Sequence, residues 1–339
     1  MSWTDEYTSE RAFWVALRTR AARQARTERT QPSHELLRQF VIQRFMARLF
    51  TPSHTSWVVA GGIGMLIRVP GARATRDLDL TTTDPHSGER QHVLDDLAPH
   101  TGLSELDPFA FTIDADEPFT GVMRGTKLRV TATIGAEQAA IFGLDIAADA
   151  VRISDIEHNR PQPVVPGIRG LSPIPAIPLF PLASQIADKV IGVTFRDDQG
   201  RSANRYRDLV DLALYAGDVD VDADQLREAL RVRAAARGQP LPTHIEVPDT
   251  WETPYRRVAA KTTLQPALHN ATTAAEAIGA WLNPVLSGDL ESGYVWDHQS
   301  GEWRHASEPA ARPGQVWVRP HTRDGRPVTD YFRRRPRHR

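Results

Sequence analysis

Residues 57–81 limit the folds open to this chain more than any other stretch. They read Trp57-Val58-Val59-Ala60-Gly61-Gly62, continue through apolar residues to Arg68, and close on Arg73-Ala74-Thr75-Arg76-Asp77-Leu78-Asp79-Leu80. This pattern predicts a strand, a glycine turn, a short helix, a loop and a second strand carrying two aspartates. Strand residues alternate faces, so Asp77 and Asp79 share one face while Leu78 and Leu80 take the other. Their side chains leave the strand roughly 6.6 Å apart. Carboxylates at that spacing suit a pair of Mg²⁺ ions about 3.5–4 Å apart, the arrangement of in-line phosphoryl chemistry. At Gly61-Gly62 the missing Cβ lets a ligand come close, and the N–H groups opening the next helix attract phosphate.

Residues 36–80 as a whole, with Arg44-Phe45-Met46-Ala47-Arg48-Leu49 before the glycines and Asp77-Leu78-Asp79 after them, resemble a known family. It is the AbiEii/AbiGii toxin branch of the DNA polymerase β-like nucleotidyltransferases, and the resemblance covers roughly residues 34–290. It implies an α+β fold: an N-terminal nucleotidyltransferase mixed β-sheet with flanking helices over residues 1–160, then an α-helical C-terminal domain over 182–290 that completes the active site. A proline-rich linker, 161–181, joins them, and a hairpin and basic tail fill 291–339. The resemblance further implies Mg²⁺-dependent transfer of NMP from an NTP to the 3′ end of tRNA, so that the tRNA is no longer aminoacylated and translation stops. It implies a cognate antitoxin protein as partner. Two positions depart from the pattern: Ala60 stands where many members have lysine, and Gly62 where some of the superfamily have serine. Arg76, beside Asp77, is the cation expected to compensate.

Three carboxylates are the expected metal ligands: Asp77, Asp79 and Asp145. The last lies on the polar face of an apolar strand, in Gly143-Leu144-Asp145-Ile146. The competing reading is a strand edge with solvated acids. Asp188-Lys189, followed by Arg207-Asp208-Leu209-Val210-Asp211, resembles the toxin branch again. There a lysine and a downstream aspartate complete the catalytic set, which implies Lys189 on the triphosphate and Asp211 orienting Lys189 or the nucleotide. Arg207 and Asp211 stand four apart, so a helix salt bridge is the alternative for that pair. Nucleotide contacts are expected from Gly61, Gly62, Arg76, Lys189 and Arg207, with Arg68 and Arg73 also near the phosphates. Thr75 is a candidate regulatory site, since a phosphate there would set negative charge beside the metal ligands.

Around these motifs, residues 3–30 read as one helix with an aromatic stripe and a basic outer face. A helix over 34–50 follows, with Ser33 as its expected N-cap. Strands are expected at 58–59, 77–81, 109–113, 127–134 and 141–147, and short helices at 62–68 and 89–97. Seven prolines in the 21 residues from Pro161 exclude regular helix or central strand there. Helices are expected at 182–195, 202–215, 222–236 with Asp222 as N-cap, 254–260, and 273–282 stopping near Pro284. A hairpin over 294–304 follows, and little order from Arg323 onward.

The 339 residues are enough for two domains. No apolar run reaches the 18 residues of a membrane span, and the N-terminus has no signal-peptide pattern. The absence of cysteine removes disulfides and thiolate metal sites and fits a cytoplasmic protein. The net charge of −1 conceals an asymmetry: residues 84–117 hold nine acids and one arginine, residues 312–339 nine arginines and two aspartates. A basic tail suits nucleic acid. Zinc-type histidine spacing, Walker A loops and serine elbows are absent. Two rivals stand beside the tRNA reading: a small-molecule nucleotidyltransferase of the antibiotic-modifying kind, favoured by the acidic segment, and an inactive RNA-binding scaffold.

Overall fold

A computed structural model gives the chain a seven-stranded mixed sheet followed by a helical bundle. The described residues are 2–28, 31–51, 56–82, 90–115, 125–148, 154–197 and 199–307, with the backbone of four further strands between 315 and 334.

Two helices, α1 (Trp3–Glu6) and α2 (Glu10–Glu28), replace the single one expected over 3–30. The break lies at Tyr7, which is extended, and at Ser9, whose hydroxyl accepts from Ala12 N at 3.2 Å and opens α2, while Ser2 caps α1 in a capping box with Asp5. In α3 (Ser33–Phe50) the N-cap is Pro32 rather than Ser33, and no side chain caps the turn. Phe40, Phe45 and Leu49 of α3 enter the N-terminal core with Phe109, Phe111 and Phe142.

The sheet holds β1 (Trp57–Val59), β2 (Asp77–Thr82), β3 (Ala110–Ala115), β4 (Gly125–Ile134), β5 (Glu137–Ala148), β6 (Glu157–Asn159) and β7 (Ile177–Leu179). Their order is β3-β4-β5-β2-β1-β7-β6. Helix α4 (Gly61–Arg68) links β1 to β2, and α5 (Arg90–Leu97) covers one side. Strand β5 begins ahead of the expected 141 because Gly135, at φ 55°, turns the chain straight back from β4. The strand β7 corrects the exclusion of a central strand from the proline-rich segment. It is inside the sheet with Pro178 at its middle position, antiparallel to β6 and parallel to β1. One missing donor is tolerated because β7 is short, meets β1 at a single residue pair, and lies next to the edge. Phe180 N, just beyond it, donates to Val59 O at 2.8 Å.

The bundle comprises α6 (Leu182–Thr194), α7 (Tyr206–Asp218), α8 (Ala223–Ala236), α9 (Glu252–Ala259) and α10 (Ala271–Leu286). Asp222 caps α8 through Gln225 N at 2.8 Å, as its position predicts. Its core, with Ile186, Val190, Leu209, Leu226 and Trp281, also takes in Met65, Val69 and Ala72. Helix α4 and the loop after it are therefore packed by both halves. Helix α10 runs past Pro284 instead of stopping there. A proline in the last turn removes one donor only, and Ser287 N still donates to Asn283 O at 2.8 Å.

Strands β8 (Val221–Asp222), β9 (Tyr294–Asp297) and β10 (Glu302–His305) form a small sheet against the bundle, fixed by Trp296 Nε1 on Ala216 O and Trp303 Nε1 on Trp281 O, both 2.8 Å. Beyond it, β11 (Gln315–Val318) pairs with β14 (Tyr331–Arg334) and β12 (His321–Arg323) with β13 (Arg326–Val328). Strands β13 and β14 stand where little order is expected: Asp324-Gly325 is a hairpin signal, and Tyr331-Phe332 favours strand. Residues 324–325, 329–330 and 335–339 of that expectation lie outside the described residues. Among the described residues no helix is long and apolar enough to cross a membrane.

Candidate active site

The site starts at the parallel pairing of β2 and β5, whose register sets Asp79 beside Asp145 and Asp77 beside Gly143. Glycine leaves room opposite Asp77, since a Cβ on Gly143 would lie 2.6 Å from Asp77 Oδ1 and make that carboxylate turn aside. The same holds at the turn into α4. Gly61 has φ +55°, and a Cβ there would sit 1.8 Å from Asp79 Oδ2. Gly62 N donates to the Asp79 carboxylate, so the first turn of α4 faces that acid. Burial, then the charges of Asp145 and Asp77, push Asp79 up to about 6, against the pull of Gly62 N–H and Lys189. Asp145 pairs with Lys127 Nζ at 3.5 Å across the β4–β5 ladder.

The facing wall comes from the bundle. Lys189 Nζ on α6 is 2.6 Å from Asp211 Oδ2 and 3.3 Å from Asp208 Oδ1, both on α7. Arg73, from the loop before β2, grips Asp211 through Nε to Oδ1 and Nη2 to Oδ2, each at 3.0 Å. Burial alone would lower the Lys189 pKa, but Asp211 and then Asp208 outweigh it and hold the ammonium above its ordinary value. Burial would likewise raise Asp211, yet Lys189 and Arg73 keep it below the usual carboxylate range. Gln185, also on α6, donates to Gly61 O at 2.7 Å while its Oε1 accepts from Arg68 Nη1 and Tyr215 OH, each at 2.8 Å. The helical half thus holds the backbone of the glycine turn in place. Between the walls lies a cleft of about 370 Å³ that also meets Arg205, Arg233 and Arg237.

Residues 44–288 match the family described as nucleotidyl transferase AbiEii toxin, type IV toxin–antitoxin system. The chain belongs to the AbiEii nucleotidyl transferase toxin family. It is accordingly a nucleotidyl transfer enzyme of toxin–antitoxin type, which implies an NTP co-substrate and an antitoxin partner. No curated protein matches the sequence. Among solved structures, MenT4, a nucleotidyltransferase toxin of Mycobacterium tuberculosis H37Rv, is 18% identical over 80% of this chain and 98% of its own, with TM-score 0.47. JHP933 from Helicobacter pylori is 15% identical over 76% and 93%, with TM-score 0.44. At these scores neither adds to the family assignment.

Within this AbiEii-family fold the expected residues divide. Gly61, Gly62, Asp79, Asp145 and Lys189 line one cleft, and Asp211 stands behind Lys189. Asp77 is exposed at the next recess, among Arg38, Arg76 and Arg129. Arg76 is outside the cleft, its side chain 73% exposed and 3.4 Å from Glu35. Arg207 is exposed over the Tyr206 ring, and Asp211 pairs with Lys189 and Arg73 instead of with it. Arg68 ties Glu157, Gln185 and Phe180 O together. The Thr75 hydroxyl is buried under Gly62 and donates to Asp77 O at 3.3 Å, so a kinase reaches it only if the loop opens.

Sequence reasoning missed the grip of Arg73 on Asp211, the role of Gln185, and Arg205, Arg233 and Arg237. Gln185 carried a signal: it stands four residues before Lys189 on an otherwise apolar helix, hence on the same face. Arg205, Arg233 and Arg237 carried none.

Asp79 and Asp145 line the cleft side by side and suit a divalent cation there, while Asp77, on the same strand as Asp79, lies at the next recess. Burial, then the like charge of Asp145 and Asp77, raises Asp79, and a cation would relieve it. The carboxylate oxygens stand wider apart than in the group Asp220, Asp297 and His298, which among the described residues lie within 4.8 Å of one another. That group is already paired, His298 with Asp220 and Arg304 with Asp297.

Proposed function

We propose that the chain transfers NMP from an NTP to the 3′ end of tRNA with Mg²⁺, stops aminoacylation, and is restrained by a cognate antitoxin. One observation carries this reading: acids on β2 and β5 and the Lys189–Asp211 pair face each other across one cleft. Asp77, Asp79 and Asp145 would hold Mg²⁺, which supplies neutralisation of the triphosphate and a lower pKa for the attacking hydroxyl. Lys189 is a fixed positive charge for the phosphates, kept protonated by Asp211 and Asp208. Gly61 and Gly62 let the triphosphate lie against backbone, and Gln185 keeps that turn from moving. Arg73 and Arg205 add cationic charge at the walls. In this reading residues 1–160 and 182–290 act as two catalytic halves joined by 161–181. Arg76 and Arg207, outside the cleft, and the nine arginines of residues 312–339 serve the tRNA phosphates. Such substrates put the reaction in the cytoplasm.

The test is incubation with total tRNA, Mg²⁺ and each α-labelled NTP in turn, beside Asp79→Ala. Label entering tRNA in the wild type alone is the expected result. Label entering only small hydroxyl acceptors would favour the antibiotic-type reading, and Mg²⁺-independent RNA binding without transfer the scaffold.

A further inference from the structure

Beside the cleft the sheet has a second hollow, and strand register explains it. On the face that carries Asp79, the ladders set Asp79, Asp145 and Lys127 in one row and Asp77, Gly143 and Arg129 in the next. Gly143 has no side chain, so the second row is open at its centre, between a carboxylate and a guanidinium. The recess there holds about 210 Å³ and is also lined by Arg38 and Arg76. Those two share Glu35, Arg38 Nη1 at 2.5 Å and Arg76 Nη2 at 3.4 Å. Each guanidinium carries more N–H donors than its share of one carboxylate can accept. Arg129 is exposed, with Asp114 as its register partner on β3. Two residues along β5 from Gly143 comes Ile141, which lines the recess and is 42% exposed.

That lining selects an occupant. Three guanidinium groups to one carboxylate at the wall disfavour a polycationic acceptor and suit a phosphodiester, which arginine can grip with two parallel hydrogen bonds. The exposed isoleucine among these charges offers a base an apolar surface. The volume admits one nucleotide and no duplex. Arg38, Arg76 and Arg129 line this recess and not the cleft of Lys189, so the two hollows present separate sets of cations.

We propose that the recess is the acceptor subsite: it takes the last nucleotide of a single-stranded RNA end, with the phosphodiester on Arg38, Arg76 and Arg129 and the base against Ile141. Asp77 lines the recess and Asp79 the cleft, two residues and about 6.6 Å apart on one strand. A terminal 3′ hydroxyl in the recess therefore meets these acids from one side while the NTP occupies the other. The fate of that hydroxyl rests on the transfer reaction proposed above: its oxygen bonds the α-phosphorus, pyrophosphate leaves with the electron pair, and the proton passes to solvent.

The test is filter binding of the full chain to an RNA hairpin with a short 3′ overhang and to the same hairpin made blunt, beside a titration of NTP in Mg²⁺. Wild type should prefer the overhang. Arg129→Gln should weaken overhang binding by about tenfold and lower its salt slope by about 0.7. Ile141→Ser should weaken it severalfold with the slope unchanged, and Arg129→Lys should restore the slope. NTP affinity should stay at the wild-type value throughout. Both side chains are exposed, so these variants should fold. No preference for the overhang, an equal loss on the blunt hairpin, a parallel loss of NTP affinity, or wild-type overhang binding in Arg129→Gln and Ile141→Ser would overturn the proposal. The expected binding pattern without labelled NMP entering RNA would support the subsite and sink the transfer reading alone.

Discussion

Two buried aspartates in this protein are each held by two cations, and they do different work. Asp107 takes Arg48 at 2.5 Å and Arg44 at 3.4 Å. The remaining donors of those arginines go to backbone: Arg44 to Ser172 O and Leu106 O, Arg48 to Gly102 O and Phe109 O. That hub is spent on backbone and, among the described residues, lines neither the cleft nor the recess beside it. Asp211 takes Lys189 and Arg73, and both cations line the cleft. The lesson is that a buried ion pair is read by where its remaining donors point. When they end on backbone the pair builds the fold, and when they face a cleft the pair presents charge to a ligand.

The largest effect expected from breaking this contrast is at the Asp107 hub. Asp107→Ala leaves two buried guanidinium groups without a counter-charge, so unfolding free energy should fall by about 3–5 kcal/mol in a urea titration. A loss under ~1 kcal/mol would put the pair in the class of exposed ion pairs and end the contrast. Asp211→Asn should divide the other way. Asp208 still stands 3.3 Å from Lys189, so the stability loss should be smaller than for Asp107→Ala. Transfer should nevertheless drop by about 10²-fold or more, as when a preorganised electrostatic group is removed. Equal stability losses with unchanged turnover would mean that both hubs are scaffold.

Gln185→Leu comes next. It removes the donor to Gly61 O and the acceptor of Arg68 and Tyr215, which should cost about 1–3 kcal/mol of stability. Turnover should fall more than nucleotide affinity, because the misplaced part is the glycine turn. A fall in affinity alone would make Gln185 an ordinary nucleotide contact.

The smallest effect is a pH dependence. Asp79 is pushed up to about 6, above its ordinary 3.8. The folded state therefore binds this proton more tightly than the unfolded chain, and the destabilisation from Asp79 is complete above about 6 and vanishes as pH falls toward 3.8. Cation binding needs the unprotonated acid. Mg²⁺ should raise the melting temperature at pH 7 and do so progressively less below about 6, where activity should fall as well. A Mg²⁺ effect independent of pH through that range would remove Asp79 from the ligand set.

Part of the candidate cleft was legible in the sequence, whereas Asp77, Arg76 and Arg207 fall outside it. Strand alternation puts Asp77 and Asp79 on one face, and Asp145 on the polar side of an apolar strand marks its neighbour. The structure aligns Asp79 with Asp145 in a parallel register. Lys189 and Asp211 rested on resemblance, and geometry sets them 2.6 Å apart. What was not readable depends on contacts far apart in sequence. Arg73 and Asp211 are 138 residues apart, and the cue of four-residue spacing pointed to Arg207 instead. Strand β7 was hidden because proline argues against a ladder locally, while the sheet can absorb one missing donor. Ser33 failed as a cap because the helix begins one residue earlier than its sequence signal.

The central claim is that one nucleotide is held from both sides of the cleft. Titration of NTP in saturating Mg²⁺ against wild type, Asp79→Asn and Lys189→Met tests it most directly. Charge-assisted contacts are worth enough that each variant should weaken binding by about tenfold or more. Wild-type affinity in both folded variants would contradict the account.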